Sequence, residues 1–190
     1  SYLDTSDQWI RERSGISTRR WVADETTLDL AVAASEDCLS QVPDYDRSKI
    51  AVVICASVTT DEVVPAIAAR LQEKLGLSTD IMAFDINAAC SGLVYALEVA
   101  RNLLRVRPAG ASALVLGAEM LSRKTDMQDR GSCFLFGDGA GAGLWTLVEG
   151  EEDYFSAKTV GDREMLSVGH DKPIRMDGRA VFRFAVGEKT

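Results

Sequence analysis

Apolar residues recur along this chain at two different periods, and the alternation between them predicts its architecture. After Thr26-Thr27, the residues Leu28, Leu30, Ala31, Ala34, Cys38 and Leu39 fall close to helical spacing, with Pro43 just beyond, which predicts a helix with a buried stripe. The run from Ile50 to Ser57 is instead short, continuous and rich in Val and Ile, the composition of a strand covered on both faces. Pro65 suits a first helical position, Ile67, Leu71 and Leu75 supply a stripe, and Gly76 closes that helix. A second strand is expected from Ile81 to Ile86. A helix then runs from Cys90 to Leu104 with Leu93, Leu97, Ala100 and Leu104 on one side, followed by a third strand from Ser112 to about Leu116. Strands recurring about every thirty residues with helices between them predict βαβαβ units and a parallel sheet with right-handed crossovers. The fold class is α/β.

The flanks read differently. Asp7 to Ser14 predicts a short helix, capped by a hydroxyl or carboxylate in Asp4-Thr5-Ser6 and closed by Gly15. Beyond the glycine-rich stretch Phe136 to Gly143, a strand is expected over Leu144 to Val148, then a polar turn Glu149 to Asp153 and a strand from Tyr154 to Val160. Gly161 to Asp177 is mixed and polar, and Ala180 to Val186 reads as the opening of a helix. At 190 residues and 46% hydrophobic composition, one domain spanning 1–190 is expected.

Charge narrows the functions. With 21 Lys and Arg against 29 Asp and Glu, the net charge of -8 excludes a general nucleic-acid backbone binder and leaves room for a local basic patch that takes one small anion. No apolar run approaches the roughly 18 residues of a membrane span, and the first residues lack the pattern of a signal peptide, so a soluble chain without membrane partners is expected. The absence of an initiator Met suggests a start after the natural one. Cys38, Cys55, Cys90 and Cys133 are scattered, with no CxxC pair or histidine cluster, so no metal site and no disulfide framework is expected. That usage fits a reducing, cytoplasmic compartment.

The sharpest chemical signal is Cys90. It stands where a buried strand gives way to a long helix, where unpaired backbone N–H groups and the helix dipole favour an anion, as a covalent thiolate nucleophile requires. Ala88, Ala89, Ser91 and Gly92 leave room for a substrate; the bland alternative is a small buried cysteine. Cys38, Cys55 and Cys133 read as core or structural. Gly137-Asp-Gly139-Ala-Gly141-Ala142 formally satisfies a dinucleotide fingerprint, but the residues after it are strand-like, whereas that fingerprint must open a helix. Trp9, Arg13 and Arg130 offer a stacking face and phosphate forks. His170, the one histidine, sits in a polar segment and reads as incidental.

Three stretches together resemble a known family. Asp4 to Ile16, Asp85-Ile-Asn-Ala-Ala-Cys-Ser-Gly-Leu-Val-Tyr-Ala96, and Asp129-Arg-Gly131 leading into Phe136 to Ala142 closely resemble β-ketoacyl-acyl carrier protein synthase III, in order through nearly the whole chain. The resemblance implies a thiolase-like fold, here its N-terminal βαβαβ half with a mixed, largely parallel sheet, and a homodimer. It implies that Cys90 takes an acyl group from acyl-CoA for decarboxylative condensation with a malonyl group on acyl carrier protein. Coenzyme A is then part of the substrate, and no separate cofactor or metal is implied. It further implies that Trp9 and Arg130 sandwich the adenine with Thr5 and Arg13 nearby, and that Leu121 and Phe136 line an acyl pocket. Val64 stands where many members have a large aromatic that reaches into the neighbouring subunit's pocket, and the smaller Val would admit a longer or branched chain. Members are roughly twice as long and carry their catalytic His and Asn in a C-terminal half without counterpart here. The chain therefore resembles a half that is incomplete at both ends and needs the remainder in cis or in trans. Two alternatives stay open: a related acyltransferase of secondary metabolism with another acceptor, and a non-catalytic half that stabilises a catalytic relative.

Overall fold

A computed structural model describes residues 3–148, 150, 154–169 and 171–187. The chain divides into two compact units: Val22–Glu119 with Gly139–Phe155, and Ser1–Trp21 with Met120–Asp138 and Ser156–Thr190.

The first is the sheet unit. It holds α2 (Thr27–Ser40), β1 (Ile50–Ala56), α3 (Ile67–Lys74), β2 (Met82–Ile86), α4 (Gly92–Leu104), β3 (Ser112–Met120) and β4 (Asp138–Thr146), while α1 (Asp7–Ser14) lies in the other unit. The strand order is β2-β1-β3-β4, with β1 parallel to both β2 and β3. Two apolar clusters show why β1 is unbroken in hydrophobicity. Val53, Cys55, Leu114 and Leu116 pack against Leu28, Ala31, Leu39, Ile67 and Leu71 of α2 and α3, whereas Val52, Ile54, Ala113 and Val115 pack against Ala96, Ala100 and Leu104 of α4. Both faces of the central strands are covered, as parallel pairing with crossover helices demands.

Two half-buried carboxylates start the helices on one face. Asp85, on β2, accepts the backbone N–H groups of Ile67 and Ala68 at 2.8 and 2.9 Å and so caps α3 across the sheet edge. Asp61 does the same for α2, accepting from Thr27 and Leu28 at 3.1 and 3.0 Å. Replacing Asp85 by alanine orphans two amides at a helix start, and urea unfolding is expected to register a loss of about 1–2 kcal/mol.

The elements depart from expectation in several places. Pro65 stands ahead of α3, which begins at Ile67, rather than at its first position. In α4 the buried positions are Gly92, Ala96, Ala100 and Leu104, while Leu93 is exposed, because small residues four apart let the helix approach β1 and β3 closely. The fourth strand begins at Asp138 and absorbs the glycine-rich run; Ala140, Ala142 and Leu144 alternate inward onto the core, a period-two signal hidden by their small size. No strand forms over Tyr154–Val160. There Phe155 meets Tyr95 edge to face at 6.1 Å, so the segment packs by side chain and makes no ladder.

The second unit contains α1, the antiparallel pair β5 (Leu166–Gly169) and β6 (Lys172–Met176), and α5 (Gly178–Gly187). The pair forms within the stretch read as mixed and polar, around buried Ile174, with Asp162 accepting from the amides of Glu164 and Met165. In α1 the expected caps are present: Ser6 Oγ accepts from the amide of Trp9, and Gly15 adopts the left-handed conformation. Glu149, Glu151 to Asp153 and His170 lie outside the described residues. No helix among the described residues is long and apolar enough to cross a membrane.

Candidate active site

In the sheet unit, β1 and β2 end side by side, with Ala56 in register with Ile86 on one flank and with Gly117 of β3, which runs on to Met120, on the other. Four residues beyond Ile86 comes Cys90, at the carboxyl edge of the parallel strands where such sheets bind ligands. Cys90 does not open the helix, as expected from the sequence, but sits in a 3-10 turn, Ala89–Ser91, just before α4. Two backbone facts account for this. Ala89 has φ +46, which breaks helical continuity, and Gly92 is where α4 seats on β1: a Cβ there would lie 3.1 Å from Ala56 Cβ. Ser91 makes no capping hydrogen bond, so the positive end of α4 faces a turn free of side-chain caps.

Exposure separates the four cysteines. Cys90 is exposed, Cys38 is half-buried, and Cys55 and Cys133 are buried. Burial pushes the Cys55 thiol up, reinforced by the nearby carboxylates Asp85 and Glu119, and raises that of Cys133 as well, with Asp129 adding to it. Neither suits a nucleophile at neutral pH.

Glu119, near the end of β3, did not stand out in the sequence. Its carboxylate accepts the Val58 amide at 2.8 Å and the Thr59 hydroxyl. Burial raises its pKa above the ordinary glutamate value, against the opposing pull of those hydrogen bonds. A carboxylate sixty residues away in sequence leaves no local pattern by which to find it.

The second unit gathers three of the predicted residues. The Arg130 guanidinium lies over the Trp9 ring, 4.7 Å from its centroid, with that of Arg13 at 5.9 Å, and Phe134 abuts the ring edge at 5.9 Å. Arg13 follows Trp9 by one turn of α1. Arg130 is presented by a turn that Asp129 fixes, its carboxylate accepting from the Gly131 amide at 2.8 Å and from the Ser132 hydroxyl. Thr5 stands just ahead of α1, with a buried hydroxyl that has no hydrogen-bond partner among the described residues.

Leu121 opens a 3-10 turn held by Asp138, which accepts from the Ser122 amide and hydroxyl at 2.8 and 2.6 Å. Phe136 is half-buried and accepts the Trp21 indole N–H through its carbonyl at 3.2 Å. The adjoining Gly137 lies so close to the Arg20 carbonyl that a Cβ would stand 3.1 Å from it. That close approach, and the strand that begins at Asp138, give the glycine run a packing cause and agree with the rejection of a dinucleotide fingerprint. Val64 belongs to the sheet unit with Cys90 and is 81% exposed.

The fold defines the class: the α/β arrangement is the thiolase-like fold of the solved structures it matches. Within it, the family model of 3-oxoacyl-[acyl-carrier-protein (ACP)] synthase III matches residues 84–162, the stretch that contains Cys90 and Arg130. The β-ketoacyl-[acyl-carrier-protein] synthase III of Clostridium perfringens is 42% identical over 203 residues, covering 97% of this chain and 61% of that protein. The crystal structure of 3-oxoacyl-(acyl carrier protein) synthase III from Pseudomonas aeruginosa superposes with a TM-score of 0.85 at 36% identity, over 97% of this chain and 59% of that one. The priming β-ketosynthase of the R1128 polyketide pathway gives 0.87 at 28% identity, over 99% and 60%. The chain is a relative of β-ketoacyl-acyl carrier protein synthase III along nearly all of its length, as its motifs indicated. It spans about three-fifths of the length of the curated relatives it matches.

Proposed function

We propose that this chain is the acyl-accepting part of a β-ketoacyl-acyl carrier protein synthase III-type enzyme, with Cys90 as nucleophile. The observation that carries the reading is the position of Cys90, the exposed cysteine at the carboxyl edge of the parallel sheet, within the stretch matched by the family model. The Cys90 thiolate attacks the carbonyl carbon of an acyl-CoA thioester. The tetrahedral oxyanion takes a hydrogen bond from the Cys90 backbone N–H, then collapses with cleavage of the bond to sulfur; the coenzyme A thiolate leaves and takes up a proton. Condensation of the acyl group with a carbanion from malonyl-acyl carrier protein needs the family's His and Asn, which belong to the part of those enzymes that this chain does not span. Acyl carrier protein, a second copy of the chain and the remainder of the enzyme are the partners this reading calls for.

Trp9 and Arg130 form the nucleotide end of the thioester site, with Arg13 and Thr5 beside them. The guanidinium rests directly on the indole, so an adenine sandwiched between the two needs about 7 Å, two van der Waals contacts, and enters by lifting Arg130. Trp9→Ala is expected to lower the acylation rate about 10- to 100-fold at limiting acyl-CoA and much less at saturation, as loss of one stacking face would. Single-turnover acylation across a range of thioester concentrations checks this. The family resemblance is what assigns acyl recognition to Leu121 and Phe136 and, separately, to Val64.

Intact mass after incubation with a panel of acyl-CoA thioesters, with peptide mapping of any adduct, tests the reading. An acyl adduct on Cys90 supports it, and the preferred chain identifies the starter. A protein that stays unmodified, or is acylated elsewhere, overturns it.

A further inference from the structure

We propose that Glu119 is a positioning residue for Cys90: it anchors the four-residue strip 56–59 that grips the Cys90 turn on both sides. The strip can be followed atom by atom. Ala56 is the seat of α4, since its Cβ faces the position a side chain on Gly92 would occupy, two residues after Cys90. Ser57 donates its amide to the Ile86 carbonyl at 3.2 Å, four residues before Cys90. Val58 and Thr59 then give their amide and hydroxyl protons to the two Glu119 oxygens, one each. On the far side, the Thr59 carbonyl accepts the buried Thr27 hydroxyl at 2.6 Å, tying the strip to α2.

Every residue of the strip thus has an assigned contact, and the two that flank the cysteine turn are neighbours of the two that Glu119 holds. Ser57 and Thr59 are buried although polar, and their hydroxyls are satisfied: that of Ser57 accepts the Thr59 amide at 3.2 Å and that of Thr59 donates to Glu119. The turn's own bonds are local: the Asn87 side chain accepts the Ala89 amide at 3.4 Å, and the Ala88 carbonyl accepts the Ser91 amide at 3.1 Å. Ala89 is in a conformation that an L-residue adopts at a cost, and Ser91 supplies no cap. A strained turn keeps its shape only when its surroundings over-determine it, and the strip provides that constraint.

Glu119 needs to accept one bond from Val58 and to meet one hydroxyl, rather than to carry charge. A glutamine fits this: its Oε1 accepts the Val58 amide and its Nε2–H donates to the Thr59 oxygen. A base acting on the thiol could not be replaced in that way. Only the acyl-CoA arm of the test rests on the proposed function, because alkylation of Cys90 by iodoacetamide reports the turn directly.

The experiment measures the rate of iodoacetamide alkylation at Cys90 by peptide mapping in the full chain, for the parent, Glu119→Ala, Glu119→Gln and Thr59→Val. Alkylation of buried Cys55 and Cys133 in the same samples reports whether the fold is kept. Glu119→Ala is expected to slow Cys90 about fivefold with Cys55 and Cys133 still protected, Thr59→Val about twofold, and Glu119→Gln to stay within twofold of the parent. Parental rates at Cys90 in a folded Glu119→Ala overturn the proposal. So does a Glu119→Gln as slow as the alanine variant, since charge would then be what matters. If Glu119→Ala exposes Cys55 and Cys133, the decision falls to Thr59→Val, whose parental rate would overturn it. In the acyl-CoA arm, acylation falls in parallel with alkylation. A parent that alkylates as expected but never acylates refutes the acyl-accepting reading and leaves the positioning of Cys90 standing.

Discussion

Replacing Cys90 with serine is expected to reduce acyl transfer from acyl-CoA by at least about a thousandfold, because a hydroxyl is a far weaker nucleophile than a thiol at neutral pH without an adjacent base. The sites that remain cannot substitute. Cys55 and Cys133 are buried and their thiols are pushed up, and Cys38 is half-buried on the α2 stripe. The loss should therefore be clean: no adduct by intact mass in Cys90→Ser, with an unchanged circular dichroism spectrum. An adduct that survives the substitution would move the nucleophile elsewhere and dissolve the functional assignment with it.

The largest effect on stability is expected at Leu114. This residue is the third of β3, fully buried, in the cluster where α2 and α3 meet the sheet. Truncation to alanine removes its transfer free energy and leaves a cavity whose walls are strands held by parallel pairing on β1, which cannot collapse inward. Leu114→Ala should cost about 2–5 kcal/mol, a large share of the stability of an ordinary domain. Urea unfolding should show the midpoint fall with an unchanged slope; a cost below about 1 kcal/mol would mean that the site is not the packed core described.

The range of each interaction decides whether it is legible in the sequence. The α1 caps were legible because Ser6 and Gly15 act on residues within the same helix. β1 was legible because a strand covered on both faces has to be apolar throughout. The fourth strand was missed at its start because Gly139, Ala140, Gly141 and Ala142 carry little hydrophobicity, so their alternation registers only once Ala140 and Ala142 are seen against the core. Leu93 was placed on the apolar side by its spacing from Leu97, Ala100 and Leu104, yet the close seat of α4 on the sheet selects Gly92, Ala96 and Ala100.

The candidate site divides along the same line. Cys90 announced itself through a strand, a turn and a helix that are neighbours in sequence. That Trp9 and Arg130 would meet could not be derived from spacing, since more than a hundred residues separate them; the family resemblance paired them, and the structure brings them into contact. Glu119 and Asp85 escaped notice for the complementary reason. A carboxylate that accepts backbone amides across a sheet edge looks in sequence like any acidic residue near the end of a strand.

The parallel arrangement of β1 also has a price during synthesis. Its two hydrogen-bonding partners, β2 and β3, come after it in the chain, and the last of β3 is made about sixty residues after Ala56. At translation rates of about 5–20 residues per second, β1 waits about 1.5–6 s for β2 and about 3–12 s for β3, so one of its edges stays open throughout. Ile50–Ala56 is an uncharged, β-branched heptapeptide without proline, the composition that self-associates when its edges are free. Growth temperature and chaperone supply should therefore govern the soluble yield of this chain more strongly than its final stability does.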